Sequence, residues 1–191
     1  MSLTLYMITS ALEGYMDYTA KVIKNARDVF LFFTMDRGNE EQIQRRQLEF
    51  VAGEGYNLEN IVKTDFIYCP IALLFSEKFV KKVGAVLKEE LQFFPCKLIC
   101  KDKSLDWYIA KIIRRIPMID REASTYTTLT DGEKVLEFPK YRRDVEEKFF
   151  IARDTENIAY YVVSEQFKNL CTENELLIGF EDPEFSLCIK Q

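Results

Sequence analysis

Residues 94–124, FPCKLICKDKSLDWYIAKIIRRIPMIDREAS, decide the fold. The stretch holds the only tryptophan and the densest apolar patterning of the chain, and it closes on the polar cluster Asp120-Arg121-Glu122. Residues 96–100 predict a strand, and Asp102-Lys103-Ser104 a turn. Residues 107–116 are ambiguous. Ile109, Ile112, Ile113 and Ile116 fit the helical period, yet so many β-branched residues favour an extended chain, and a strand is the preferred reading. Pro117 interrupts it.

Working outward, residues 125–130 are β-rich, Asp131-Gly132 is a turn and 135–138 a short strand. Residues 149–153 and 158–163 read as a hairpin about 154–157. Residues 164–170 read as a short capped helix and 176–180 as a final strand. Upstream, 76–91 predicts a helix. Ser76 is its N-cap, Glu77 suits the positive end of the helix dipole, and Phe79, Val83, Val86, Leu87 and Leu91 share one face. The apolar run 65–75 is broken at Pro70. Residues 3–8 and 29–35 read as strands, a helix is expected near 18–26, and 40–50 has helical propensity with a thin apolar stripe. A loop is expected over 53–60, and the region 36–63 is either a surface helix or an excursion that helps binding. One echo stands out: ALLFSEKFVK at 72–81 resembles YYVVSEQFKN at 160–169, each reading strand, Ser-Glu-x-Phe, helix. Strands outnumber helices and most connections are short. The expected fold is therefore α+β, one domain over 1–191, with a mixed, mainly antiparallel sheet and a few packed helices.

Composition narrows the chemistry. The chain has no histidine, which removes Ser-His-Asp and Cys-His catalysis and histidine-based metal sites. A net charge of −5 argues against a nucleic-acid binder working through a basic face. Five cysteines at irregular spacing do not form a disulfide framework, and the C-x₃-C of Cys96 and Cys100 lacks the further ligands that zinc needs. No apolar stretch is long enough for a membrane span and no signal peptide is evident, so a cytoplasmic location is expected. No cofactor, metal or catalytic set is expected, and the oligomeric state is left open.

The order of short motifs over roughly 65–185 resembles a bacterial family of polymorphic-toxin immunity proteins, usually numbered the eleventh and once listed only as a domain of unknown function. The pieces are Ser76-Glu77-Lys78-Phe79, Phe94-Pro95-Cys96, Trp107-Tyr108, Ile119-Asp120 closing at Ser124, Phe149-Phe150-Ile151-Ala152-Arg153, Val163-Ser164-Glu165 and Gly179-Phe180. The first 60 residues match poorly. The resemblance implies a non-enzymatic cytoplasmic protein that binds and neutralises a cognate toxin domain. Such a protein needs a rigid surface with aromatic anchors and a complementary charge field.

Candidate partner-binding or motif residues are Trp107, Tyr108, Arg115, Asp120, Glu122, Arg153, Glu181 and Asp182. Asp120 and Glu122 could share a proton as a carboxylate hydrolase or transferase, hold a metal, contact a partner, cap a turn, or pair with Arg114 and Arg115; in a strand they would face one side. Arg153 is a candidate for an ion pair with Asp120. The acidic segment from Glu173 to Glu184, which includes Glu181 and Asp182, is either solvated charge or a patch that steers a basic partner. A non-catalytic regulatory or scaffold domain is the third reading.

Overall fold

The computed structural model describes residues 3–12 and 18–184. In chain order the elements are β1 (Leu5–Thr9), β2 (Ala20–Val22), and α1 (Ala26–Val29), which runs into a π-helical turn over Phe30–Thr34. Next come α2 (Glu40–Gln44), β3 (Leu48–Ala52), α3 (Leu58–Ile61), β4 (Phe66–Cys69), β5 (Ala72–Ser76) and α4 (Glu77–Val83). The ten-residue strands β6 (Leu91–Cys100) and β7 (Lys103–Ile112) follow, then β8 (Arg115–Ile116), β9 (Thr125–Thr128) and β10 (Lys134–Phe138). The chain continues through β11 (Ile151–Asp154), β12 (Tyr161–Ser164), α5 (Glu165–Glu173) and β13 (Gly179–Glu181).

The fold is α+β, as the sequence implies. A six-stranded sheet has the order β2-β3-β6-β7-β5-β4, and a five-stranded sheet the order β13-β1-β12-β11-β8. Among the described strands β3–β6 and β11–β8 pair in parallel and the other pairs are antiparallel. Thr19, just before β2, bridges to Tyr68 of β4, so the outer strands of the larger sheet meet and it curls into a barrel. Closure hides edges that would otherwise offer unpaired backbone groups.

The hairpin β6–β7 is the spine of this barrel. It turns at Lys101-Asp102, with Lys101 in the left-handed region at φ 55°. Alternation along the strands sends Phe94, Cys96, Leu98, Trp107 and Ile109 into the barrel interior. It sends Leu91, Phe93, Ala110 and Ile112 outward, into a second core shared with α4, α5 and the five-stranded sheet. Burial on both faces explains why residues 107–112 lack the clean alternation of a one-sided strand. A third core lies on the far side of the five-stranded sheet, where Leu136 of the β9–β10 hairpin meets Leu5, Ala152 and Val162.

Several expectations are corrected. Residues 29–35 form no strand but helical turns, closed by an i→i+5 bond from Met35 N to Phe30 O. A short apolar run buried all round carries no period that separates strand from helix. Phe32 and Phe33 pack edge-on against each other and against Phe94, at centroid distances of 5.0–5.5 Å. The helix expected near 18–26 is strand β2 followed by the start of α1. Residues 40–50 divide into a helix and a strand, and 53–60 is not all loop, because Asn57 and Asn60 cap α3 reciprocally. The region 36–63 is thus no excursion: β3 is a barrel strand.

The helix beginning at Ser76 ends at Val83 instead of Leu91. A Cβ on Gly84 would lie 2.5 Å from the Val80 carbonyl oxygen, so only glycine fits there. Leu87 N still donates to Val83 O, and Leu91 N to Leu87 O, so the four-residue spacing outlasts the helix. Val86 points outward, contrary to the expected face. The turn lies one residue earlier than expected, at 101–102. The final strand is β13, later than the 176–180 expected.

The two Ser-Glu-x-Phe junctions are β5–α4 and β12–α5, and they meet: the rings of Phe79 and Phe167 lie 6.2 Å apart, both fully buried. Ser76 Oγ accepts from Phe79 N at 3.0 Å, the N-cap bond the sequence implies. Ser164 does not cap with its side chain; its hydroxyl donates to Phe149 O at 2.5 Å.

Candidate functional site

Two places gather the charged candidates. The first is an open groove between residues 117–122 and 141–144. Its floor is fixed by Asp154, the last residue of β11, which is buried. Asp154 Oδ2 accepts from Met118 N at 3.0 Å and Ile119 N at 3.1 Å, and Oδ1 accepts from Glu156 N and Asn157 N. The segment also pairs with its neighbour: Asp120 N donates to Lys140 O, and Arg142 N to Met118 O, both at 2.8 Å.

Asp120 lies in a turn, not a strand, so the face it was expected to share with Glu122 does not exist. Its Oδ1 accepts from Glu122 N and Ala123 N, each at 3.0 Å, which is the turn-capping alternative. Glu122 is exposed at the rim. Arg121 pairs with Glu156, Arg142 grips Asp144 through Nε (3.0 Å) and Nη2 (3.2 Å), and Glu184 pairs with Lys140 (2.7 Å) and Arg143 (3.7 Å). The groove is rigid at its base and displays alternating charge at its rim.

The second place is a cavity of about 180 Å³ between the two sheets. Arg153 of β11 lines it and is only 3% exposed. The expected ion pair with Asp120 does not form: β11 alternates, so Arg153 faces the barrel while Asp154 faces the groove. Arg153 Nη1 donates to Thr34 O at 2.9 Å and Nη2 to Phe33 O at 2.8 Å, at the end of the π-helical turn. No described residue accepts from Nε. Burial pulls the guanidinium pKa down to about 10, Asp36 counters this, and Arg115 adds to it.

Arg115 lies beside Arg153 in the parallel β8–β11 register. It pairs with Asp36, whose other oxygen receives Lys111 Nζ at 2.6 Å. Lys111 also lies 4.0 Å from the centre of the Phe32 ring. Asp36 itself is left-handed, at φ 51°. Burial raises the Asp36 pKa, but the bonds from Lys111 and Arg115 outweigh it and hold the carboxyl below its ordinary value. A depressed folded pKa stabilises the protein above the unfolded carboxyl pKa and loses that contribution as pH falls through the folded one. Asp36→Asn is therefore expected to cost about 1 kcal/mol at neutral pH. In urea denaturation the gap between parent and variant should narrow as pH drops below about 4. A gap independent of pH would mean that packing, not charge, carries the contribution.

The remaining candidates scatter. Trp107 is 4% exposed inside the barrel and offers no surface anchor. Tyr108 and Glu181 are half-buried on β7 and β13, and Asp182 is exposed, with its carboxylate accepting from Glu184 N at 2.8 Å. Arg114 pairs with Glu147 at 2.5 Å and so does not join Arg115. Cys69, Cys96, Cys100 and Cys171 are buried free thiols whose pKa values burial pushes up, that of Cys171 to about 12. Cys188 lies outside the described residues. Among the described residues no group of acidic and cysteine side chains is placed to hold a metal.

Sequence reasoning missed Asp154 and Asp36. Asp154 carried one signal, an acidic residue where a strand ends at a turn; Asp36 carried none, because its partners lie 75 and 79 residues away. No protein-family model matches this chain, and no curated protein matches it.

Proposed function

We propose that this chain is a cytoplasmic immunity protein that neutralises a cognate toxin domain by stoichiometric binding, with the groove at residues 117–144 as its contact surface. The observation that carries this reading is the turn at 117–124, locked from beneath by Asp154 and displaying Arg121 and Glu122, with Arg142 facing it from the neighbouring segment. A rigid mixed-charge surface favours specific docking at little ordering cost. The motif order of the immunity family supports the reading. The motif residues that make up Ser76–Phe79, Trp107, Phe149–Arg153 and Val163–Glu165 lie in junctions and core strands, and so act as scaffold for the displayed turn. The same geometry weighs against a carboxylate hydrolase, because Asp120 Oδ1 is already occupied by two backbone amides. Among the described residues no helix is long and apolar enough to cross a membrane.

A toxin gene is expected beside this one, and the test is co-expression with the C-terminal domain of its product. Rescue from toxicity and a one-to-one complex are expected. Arg121→Glu and Arg142→Glu alter exposed pairs, so folding should be little changed, while the complex should weaken about tenfold or more. A complex indifferent to both variants would move the contact surface elsewhere. No rescue from a toxin domain shown to be active would end the immunity reading.

A further inference from the structure

The cavity between the sheets is lined by a cation, Arg153, that makes no ion pair among the described residues. Both oxygens of Asp36 are engaged by Lys111 and Arg115, so Arg153 has no carboxylate of its own among the described residues. Its two terminal nitrogens are held by consecutive backbone carbonyls, which fixes the plane of the guanidinium. What remains is the Nε edge, buried and without an acceptor among the described residues, on a residue that lines the cavity. A buried unpaired donor on a charged group costs free energy that a ligand can recover.

We propose that this cavity is a binding site for a small organic monocarboxylate, taken up carboxylate-first on the Nε edge of Arg153. Guanidinium and carboxylate are both planar and match through paired N–H···O bonds. The walls favour an acid with an apolar body: Phe33, Leu73, Ala110 and Ile112 line the space beside Tyr68 and Tyr161. The volume corresponds to about six water molecules, enough for a short-chain or single-ring acid and too small for a nucleotide. A phosphate dianion is disfavoured, because a second charge taken out of water would meet no second cation inside the cavity. The π-helical turn and the left-handed Asp36 beside the arginine are features that recur where backbone is shaped for a ligand.

Benzoate is the probe, with benzamide as its uncharged isostere and inorganic phosphate as the dianion control. On the whole chain, benzoate is expected to raise the melting temperature saturably and to shift the Arg153 Nε–H resonance downfield. Benzamide and phosphate should do neither. Arg153→Lys keeps a cation able to reach the Phe33 and Thr34 carbonyls, and should weaken benzoate binding at least tenfold. The wild-type comparison decides the matter even if that variant fails to fold. An unmoved Nε–H signal at millimolar benzoate, an equal response to benzamide, or equal binding by a folded Arg153→Lys protein would overturn the proposal.

Discussion

Replacing Phe79 by alanine is expected to destabilise the protein by about 3–5 kcal/mol, the range for deleting a fully buried aromatic side chain. Phe79 is completely buried. Its ring stacks on Phe75 at 4.2 Å and 23°, and meets Phe93 and Phe167 at 6.1 and 6.2 Å. Those partners belong to β5, β6 and α5, so one side chain ties two barrel strands, one on each side of β7, to the helix that shares their core. Two terms add: the lost transfer of the ring from water, and a cavity that rigid strands on both sides cannot close. Phe79→Leu keeps most of the volume and loses chiefly the ring–ring geometry, for about 1–2 kcal/mol. Urea denaturation of the three proteins checks this. A loss under about 1 kcal/mol for the alanine variant would show that the two Ser-Glu-x-Phe junctions do not pack as described.

The sequence was most legible where burial is one-sided or where a local device marks a boundary. Ser76 announced its helix because an N-cap acts within three residues, and the hairpin from 149 to 163 was visible as two apolar runs about a polar turn. Residues 107–112 are strand, as read, despite a helical spacing of isoleucines, since β-branched density outweighed the period; the expected single strand to 116 is broken at 113–114, where the chain leaves β7 and 115–116 joins the other sheet as β8. The same rule failed at 29–35. There Phe32 and Phe33 are wrapped by Phe94, some 60 positions later, and nothing local records that enclosure. Barrel closure through Thr19 and Tyr68 was equally hidden, being a contact between distant edges. The site suffered most. Arg153 was singled out, but its partners are backbone carbonyls at 33 and 34, which no side-chain pattern advertises. Asp120 and Glu122 drew attention as neighbouring carboxylates, whereas the residue that builds their turn is Asp154, on another strand.

That dependence makes Asp154 the most informative single position. Asp154→Ala is expected to cost about 3–5 kcal/mol, as large an effect as emptying the Phe79 site but by a different route. The loss is not packing volume. It leaves the amides of Met118 and Ile119 inside the protein without acceptors, at about 1–3 kcal/mol each, and removes the bonds that fold Glu156 and Asn157 into the β11–β12 turn. Water cannot easily substitute at Met118 and Ile119, because they and Asp154 are buried beneath the groove. Asp154→Asn separates charge from shape. It keeps one carbonyl oxygen, so one pair of amides stays satisfied while the new NH₂ faces the donors of the other pair. Its cost should fall only slightly below that of alanine. The consequence reaches function, since the turn carrying Arg121 and Glu122 is held from this carboxylate. Hydrogen exchange should show Met118 and Ile119 losing protection in both variants, while amides in β6 and β7 keep theirs. Partner binding, on the immunity reading, should weaken under conditions where the barrel remains folded. If the two amides stay protected and stability is unchanged, the turn is held by its pairing with residues 140–142 alone, and Asp154 is not its anchor.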